Sequence, residues 1–142
     1  MYTGLSHAHS GLRWVVLVLL ILAIFNAYNA WKNDGKLSKM PLFALIATHI
    51  QLILGLVLYF ISPYVSFEDG FMKETVTRFY TVEHISLMLF AIITITVGYS
   101  RSKRKPSDDA KGRTVFMYYL IALILILVAI PWPFRNLGAG WF

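Results

Sequence analysis

Four histidines carry the chemical potential of this chain: His7 and His9 as a His-x-His pair near the amino end, and His49 and His84, each inside a long apolar run. A neutral imidazole ligates transition metals and haem iron, and it also transfers protons. An ionisable group at membrane depth is costly, so each histidine within an apolar run is a candidate functional group. The chain has no cysteine, which excludes disulfides, thiolate metal sites and covalent haem attachment through Cys-x-x-Cys-His. Any metal or cofactor has to be held by histidine.

The elements that must position these side chains are apolar and long. Of 142 residues, 58% are hydrophobic and 14% charged. The apolar residues fall in four blocks, roughly 11–31, 41–61, 79–99 and 115–132. Each is about 20 residues long, enough to cross a ~30 Å hydrocarbon core at 1.5 Å per residue. None alternates with period two, and in lipid every backbone amide needs an internal partner, so helices fit and barrel strands do not. The sequence therefore predicts an all-α integral membrane four-helix bundle, one transmembrane domain over residues 1–142. The first run lacks a basic leading region and a small-x-small cleavage site, so it reads as a span and not as a secretory leader.

Charge sets the expected orientation. Lys32, Lys36 and Lys39 lie in the first connection, and Arg101, Lys103, Arg104, Lys105, Lys111 and Arg113 in the third, which puts nine of the 13 basic residues on one side. The other side has Arg13, Lys73, Arg78 and Arg135, diluted by Glu68, Asp69 and Glu74. Positive-inside retention then places both termini on the outer side. The net charge of +6 reflects topology and implies no nucleic-acid partner.

His84 lies outward of the centre of the third block, and its helical face carries Thr77, Tyr80, Thr81, Met88, Ala91, Ile95 and Gly98. The small Ala91 and Gly98 allow close approach of another helix or a flat ligand. His49 sits near the middle of the second block with Leu45, Leu52, Ile53 and Leu56 on its face, an environment for either a porphyrin or plain packing. His9 opens the first span, and Arg13 one turn below it could pair an anion such as a haem propionate. His7 lies outside the span and is expected to be solvated. Arg78 and Glu83 flank His84, and Glu83 is the only carboxylate in any block; a structural ion pair with Arg78 or Arg13 is its expected role. No lysine falls within a block, and there is no P-loop, His-Glu-x-x-His, nucleophile triad or broken-helix pair, so Schiff-base chemistry, hydrolysis and secondary transport lack support.

The segments His9-Ser-Gly-Leu-Arg-Trp14, Thr48-His-Ile-Gln-Leu52, Arg78-Phe-Tyr-Thr-Val-Glu-His84 and Ile130-Pro-Trp-Pro-Phe134 resemble small bacterial four-helix membrane proteins labelled cytochrome b-like. That resemblance covers nearly the whole chain and implies a b-type haem within the bundle, polar positions at His9, Arg13, His49, Arg78, Glu83 and His84, and multi-pass residence in the bacterial inner (cytoplasmic) membrane. A more distant similarity is to dihaem b-type cytochromes, which need more intramembrane ligands than the two or three offered here.

Helix geometry orders the ligand candidates. With span centres near residues 21, 51 and 89, His9 lies ~18 Å and His84 ~8 Å outward, and His49 ~3 Å inward. Neighbouring second and third helices would then put His49 and His84 ~14 Å apart between Cα atoms. The first and third helices of an up-down bundle are diagonal, which separates His9 further from His84. The expected cofactor-binding set is therefore His49 and His84, with His9 as substitute ligand and Arg13 and Arg78 facing propionates. The expected function is single-electron transfer through haem b, in contact with the lipid bilayer, a quinol and a redox partner protein. Two other readings stay open: a cofactor-free accessory or assembly subunit, in a homo-oligomer or larger complex, and a copper or zinc site built from His7, His9, Glu83 and His84.

The cysteine-free background makes the orientation directly measurable. A single cysteine at Ser66 should react with an impermeant maleimide in intact spheroplasts, whereas one at Ser107 should react only after lysis; the opposite pattern inverts the topology.

Overall fold

The computed structural model describes residues 1–142, and it is all-helical with no strand. Its four long helices are α1 (Tyr2–Lys32), α2 (Met40–Ile61), α3 (Thr75–Ser102) and α4 (Asp108–Ala129), each long and apolar enough to cross a membrane. Single 3-10 turns occur at Phe71–Lys73 and Pro133–Arg135. Only 27 of the 142 residues are buried, while exposed Phe25, Ile53, Phe60, Phe90, Ile93, Ile121 and Ile124 leave the outside of the bundle apolar. Such a surface suits a lipid environment and not water.

Local sequence explains where the helices stop. The α1–α2 turn closes on Asn26, whose Nδ2 donates to the Lys36 carbonyl at 3.1 Å and whose Oδ1 accepts from Ser38 N at 2.9 Å. Pro41 in the first turn of α2 fills a position whose N–H has no helical partner. Asp108 and Asp109 in the first turn of α4 complement the positive end of its dipole. At its other end α4 stops at Ala129, three residues short of the expected block. The reason is Pro131, which drives the preceding Ile130 out of helical conformation to φ −68°, ψ 130°. The first helix differs the other way: it begins at Tyr2, so His9 lies well inside it.

Helices α1 and α4 form the centre. A stripe of Leu20, Ala23, Ala27 and Ala30, all with no exposed surface, recurs every three or four residues along α1 and faces Val115, Tyr119, Ala122 and Ile126 of α4. Small residues matter because lipid tails are as apolar as leucine, leaving close packing to hold helices together. Tyr119 adds a buried bond from its hydroxyl to the Pro41 carbonyl at 2.8 Å, which ties α4 to α2. Helix α1 packs along both α2 and α4, and α3 along α4, whereas α2 and α3 touch sparsely. The up-down bundle therefore has one loose seam.

Gly112 shows how tight the α1–α4 contact is. A Cβ added there would lie 2.5 Å from the Ala27 carbonyl oxygen and 2.8 Å from Trp31 N, both backbone atoms that cannot swing away. Gly112→Val should therefore lower stability by ~1–3 kcal/mol or more, the range for overpacking a close contact. Gly11→Ala, where a Cβ meets nothing within 4 Å, should be neutral or stabilising by up to ~1 kcal/mol. Thermal unfolding in detergent compares the two.

Candidate functional site

A cavity of about 300 Å³ opens inside the half of the bundle that carries the chain termini. Its walls come from all four helices and the tail, with His9, Arg13, Gln51, Gly55, Tyr80 and His84 as the residues of chemical interest. Val16, Met88, Ile92 and Ile126 make an apolar floor. The sparse α2–α3 seam leaves the room, and the polar residues near the termini decide which half is lined for chemistry.

His84 is aimed by two features of the backbone. The segment Phe79–Glu83 forms a π turn directly ahead of it, with the His84 N–H reaching back to the Phe79 carbonyl. Such turns insert a residue and re-aim the side chains that follow. The Thr81 carbonyl in this turn accepts from the Tyr59 hydroxyl at 2.8 Å, one of the few links across the loose seam. The ring itself is fixed from α4: His84 Nδ1 lies 2.7 Å from the Ala129 carbonyl oxygen. A carbonyl only accepts, so Nδ1 carries the proton, and in the neutral ring Nε2 keeps its lone pair. This is the second-shell arrangement typical of histidines that bind metals.

His9 reaches the same place from the diagonal helix. Its ring centroid is 6.4 Å from that of His84, with the planes 72° apart. Gly55 of α2 makes the space, since a Cβ at that position would come within 3.1 Å of His9 Cε1. Gln51 secures the same stretch of α1 by donating from Nε2 to the His9 carbonyl at 2.8 Å. His9 Nδ1, Gln51 Oε1 and Arg13 Nε are buried without a hydrogen-bond partner. Unpaired buried polar atoms are few in folded proteins, and each calls for a partner such as a water, an ion or a ligand.

The expected pairing of His84 with His49 is not the geometry found. His49 does not line the cavity. Its Nδ1 donates to the Leu45 carbonyl one turn back at 2.7 Å, and its Nε2 faces Thr96 Oγ1 of α3 at 3.5 Å. Helix α1 starts at Tyr2 and not near residue 11, which moves its midpoint toward His9, and with the π turn in α3 the rings of His9 and His84 come to face one cavity. Arg78 is likewise absent from the cavity: its Nε pairs with Glu83 Oε1 at 2.8 Å and its Nη1 donates to the Met72 carbonyl. The copper or zinc set of His7, His9, Glu83 and His84 is not assembled either, since no group of three or more such side chains converges. His7 is exposed at the cavity mouth.

The carboxyl-terminal segment also belongs to the site. Arg13, 7% exposed, donates from Nη2 to the Trp141 carbonyl at 2.7 Å, and Trp14 Nε1 donates to the same oxygen at 2.9 Å. The Tyr80 hydroxyl donates to the Leu137 carbonyl at 2.9 Å. Together they draw the tail across the cavity as a strap, under which the Arg13 guanidinium sits 5.3 Å and 5.8 Å from the Trp14 and Trp132 rings. The signal in the sequence was the Trp-rich, Gly-rich run 132–142, legible only as a membrane-interface belt.

No family model matches the chain, and no curated protein or solved structure matches it either.

Arg13 is the main anchor of the strap, through a charge-assisted bond contributing roughly 1.5–3 kcal/mol. Arg13→Gln should make a nitroxide attached at Phe142→Cys markedly more mobile, while one attached at Phe25→Cys on α1 is unchanged. Unchanged mobility at position 142 would mean that Trp14 and Tyr80 suffice.

Proposed function

We propose that this chain is a multi-pass b-type haem protein of the bacterial inner membrane that holds one haem between His9 and His84 and passes single electrons. The observation that carries the reading is the convergence of these two imidazoles from diagonal helices. Two imidazoles bound on opposite sides of one metal at ~2.0–2.1 Å would have ring centroids roughly 6 Å apart, and the 6.4 Å separation here is compatible with that. The free Nε2 of His84, its anchored Nδ1 and the apolar floor all favour an axial ligand role. Arg13 supplies the one cation in the cavity wall, suited to a propionate once it shares its bonds with the strap. The haem supplies the one-electron chemistry; the protein holds, orients and tunes it.

The basic connections at the opposite end favour an arrangement with both termini, and hence the cavity, on the outer side. A quinol and a redox partner protein are the electron donor and acceptor that such a position fits.

Absorption spectra of the purified protein, oxidised and dithionite-reduced, test the reading. A b-type reduced spectrum should appear in the wild type and in His49→Ala, and should be lost or severely weakened in His9→Ala and His84→Ala at normal expression. A full-strength reduced Soret band in the His84 variant would take this residue out of the site and overturn the pairing with His9, and no band in the wild type would remove the haem and favour the cofactor-free subunit reading.

A further inference from the structure

The end of the bundle opposite the cavity has a surplus of positive charge that the protein does not neutralise. The only ion pair in the structure is Arg78–Glu83, at the other end. Lys32 and Lys103 lie over the rings of Trp31 and Tyr99, at 4.1 Å and 4.8 Å, and Arg101 Nη1 donates to the Tyr118 hydroxyl at 2.8 Å. None of these contacts removes charge.

A cleft of about 400 Å³ lies on this rim, bounded by Trp31, Arg101, Lys105, Asp109, Arg113 and Met117. Its three cations face one carboxylate, leaving two positive charges uncompensated.

What lies below the cleft identifies its partner. On α4, Arg113 is followed at helical spacing by Met117, Ile121, Ile124 and Val128, all of them exposed. On α3, Arg101 is preceded at the same spacing by Val97, Ile93 and Phe90, also exposed. Residues three or four apart share one helix face, so each arginine caps a continuous apolar track running toward the middle of the bundle. The tracks belong to neighbouring helices and meet at the cleft, because Arg101, Arg113 and Met117 all line it. A cationic cleft above two apolar tracks matches a molecule with an anionic head and two long acyl chains. A soluble acidic protein or a nucleic acid would use the charge and leave the tracks unused.

We propose that this cleft binds the headgroup of an anionic glycerophospholipid, with phosphate between Arg101, Lys105 and Arg113 and acyl chains along the α3 and α4 tracks. Basic pockets between helix ends at the membrane surface are known to hold such headgroups. The site is separate from the histidine cavity and does not depend on what that cavity holds.

Trp31 provides a local probe, because Trp14, Trp132 and Trp141 all lie at the opposite end. Short-chain phosphatidylglycerol titrated into the full-length protein in neutral detergent should change the tryptophan emission saturably, and Trp31→Phe should abolish the change. Short-chain phosphatidylcholine should have no such effect, and added salt should weaken the response. Arg101→Gln/Lys105→Gln/Arg113→Gln should weaken half-saturation roughly a hundredfold, and Lys105→Gln alone, in a loop where folding is not at risk, about fivefold. Lys36→Gln/Lys39→Gln/Lys111→Gln, which removes equal charge from the same rim outside the cleft, should bind as the wild type does. Equal responses to the two lipids, or equal weakening by the two triple variants, would overturn the proposal. So would a matching response to inorganic phosphate, which would mark a free-anion site with no role for the tracks.

Discussion

The site depends on the bond between His84 Nδ1 and the Ala129 carbonyl, and that bond exists because a proline ends a helix. Pro131 forces Ile130 extended and terminates α4 at Ala129, leaving the last carbonyls of the helix without their usual amide partners. In a low-dielectric setting each such group needs a replacement donor. Trp132 Nε1 takes Leu127, Arg135 takes Val128 and Ile130, and His84 takes Ala129. Three side chains thus close the helix end, and one of them is the histidine at the centre of the cavity. The requirement to satisfy backbone polarity and the requirement to orient an imidazole are met by one contact.

The opposing side of the cavity is built on a different economy of space. Gly55 admits the His9 ring where any larger residue would displace it, and Gly112 lets the backbone of α4 lie against that of α1. These close approaches use up the room along α1–α2 and α1–α4, and the slack is collected at the α2–α3 seam. The cavity lies beside that seam because packing is tight elsewhere. Tyr59 bridges the seam to the π turn, so the turn that aims His84 is also held from α2.

The four spans were legible because hydrophobic length is a one-dimensional property, written in the order of residues. Arg78 with Glu83 was legible too, since the partners are five residues apart. The histidine pairing was not, because it depends on where α1 begins and on a π turn. Neither leaves a compositional mark: residues 2–10 are a polar mixture that could equally precede a helix, and Phe-Tyr-Thr-Val-Glu carries no signal for five-residue hydrogen bonding. The tail was invisible for a third reason. Its contacts with Arg13 and Tyr80 use backbone carbonyls, which every sequence possesses, and they span 128 and 57 positions.

The strap over the cavity mouth bears on time as well as on affinity. Anything seated against His9 and His84 lies beneath a segment held by three side-chain bonds from Arg13, Trp14 and Tyr80. An occupant that passes the tail on its way in or out needs that segment to lift, and exchange by this route runs no faster than the strap opens. Under such gating a competitor in excess does not hasten release, and a weakly held occupant can still have a long residence time. Retention in a membrane site of this kind becomes a kinetic property of six residues at the edge of the fold, partly independent of how well the interior grips its contents.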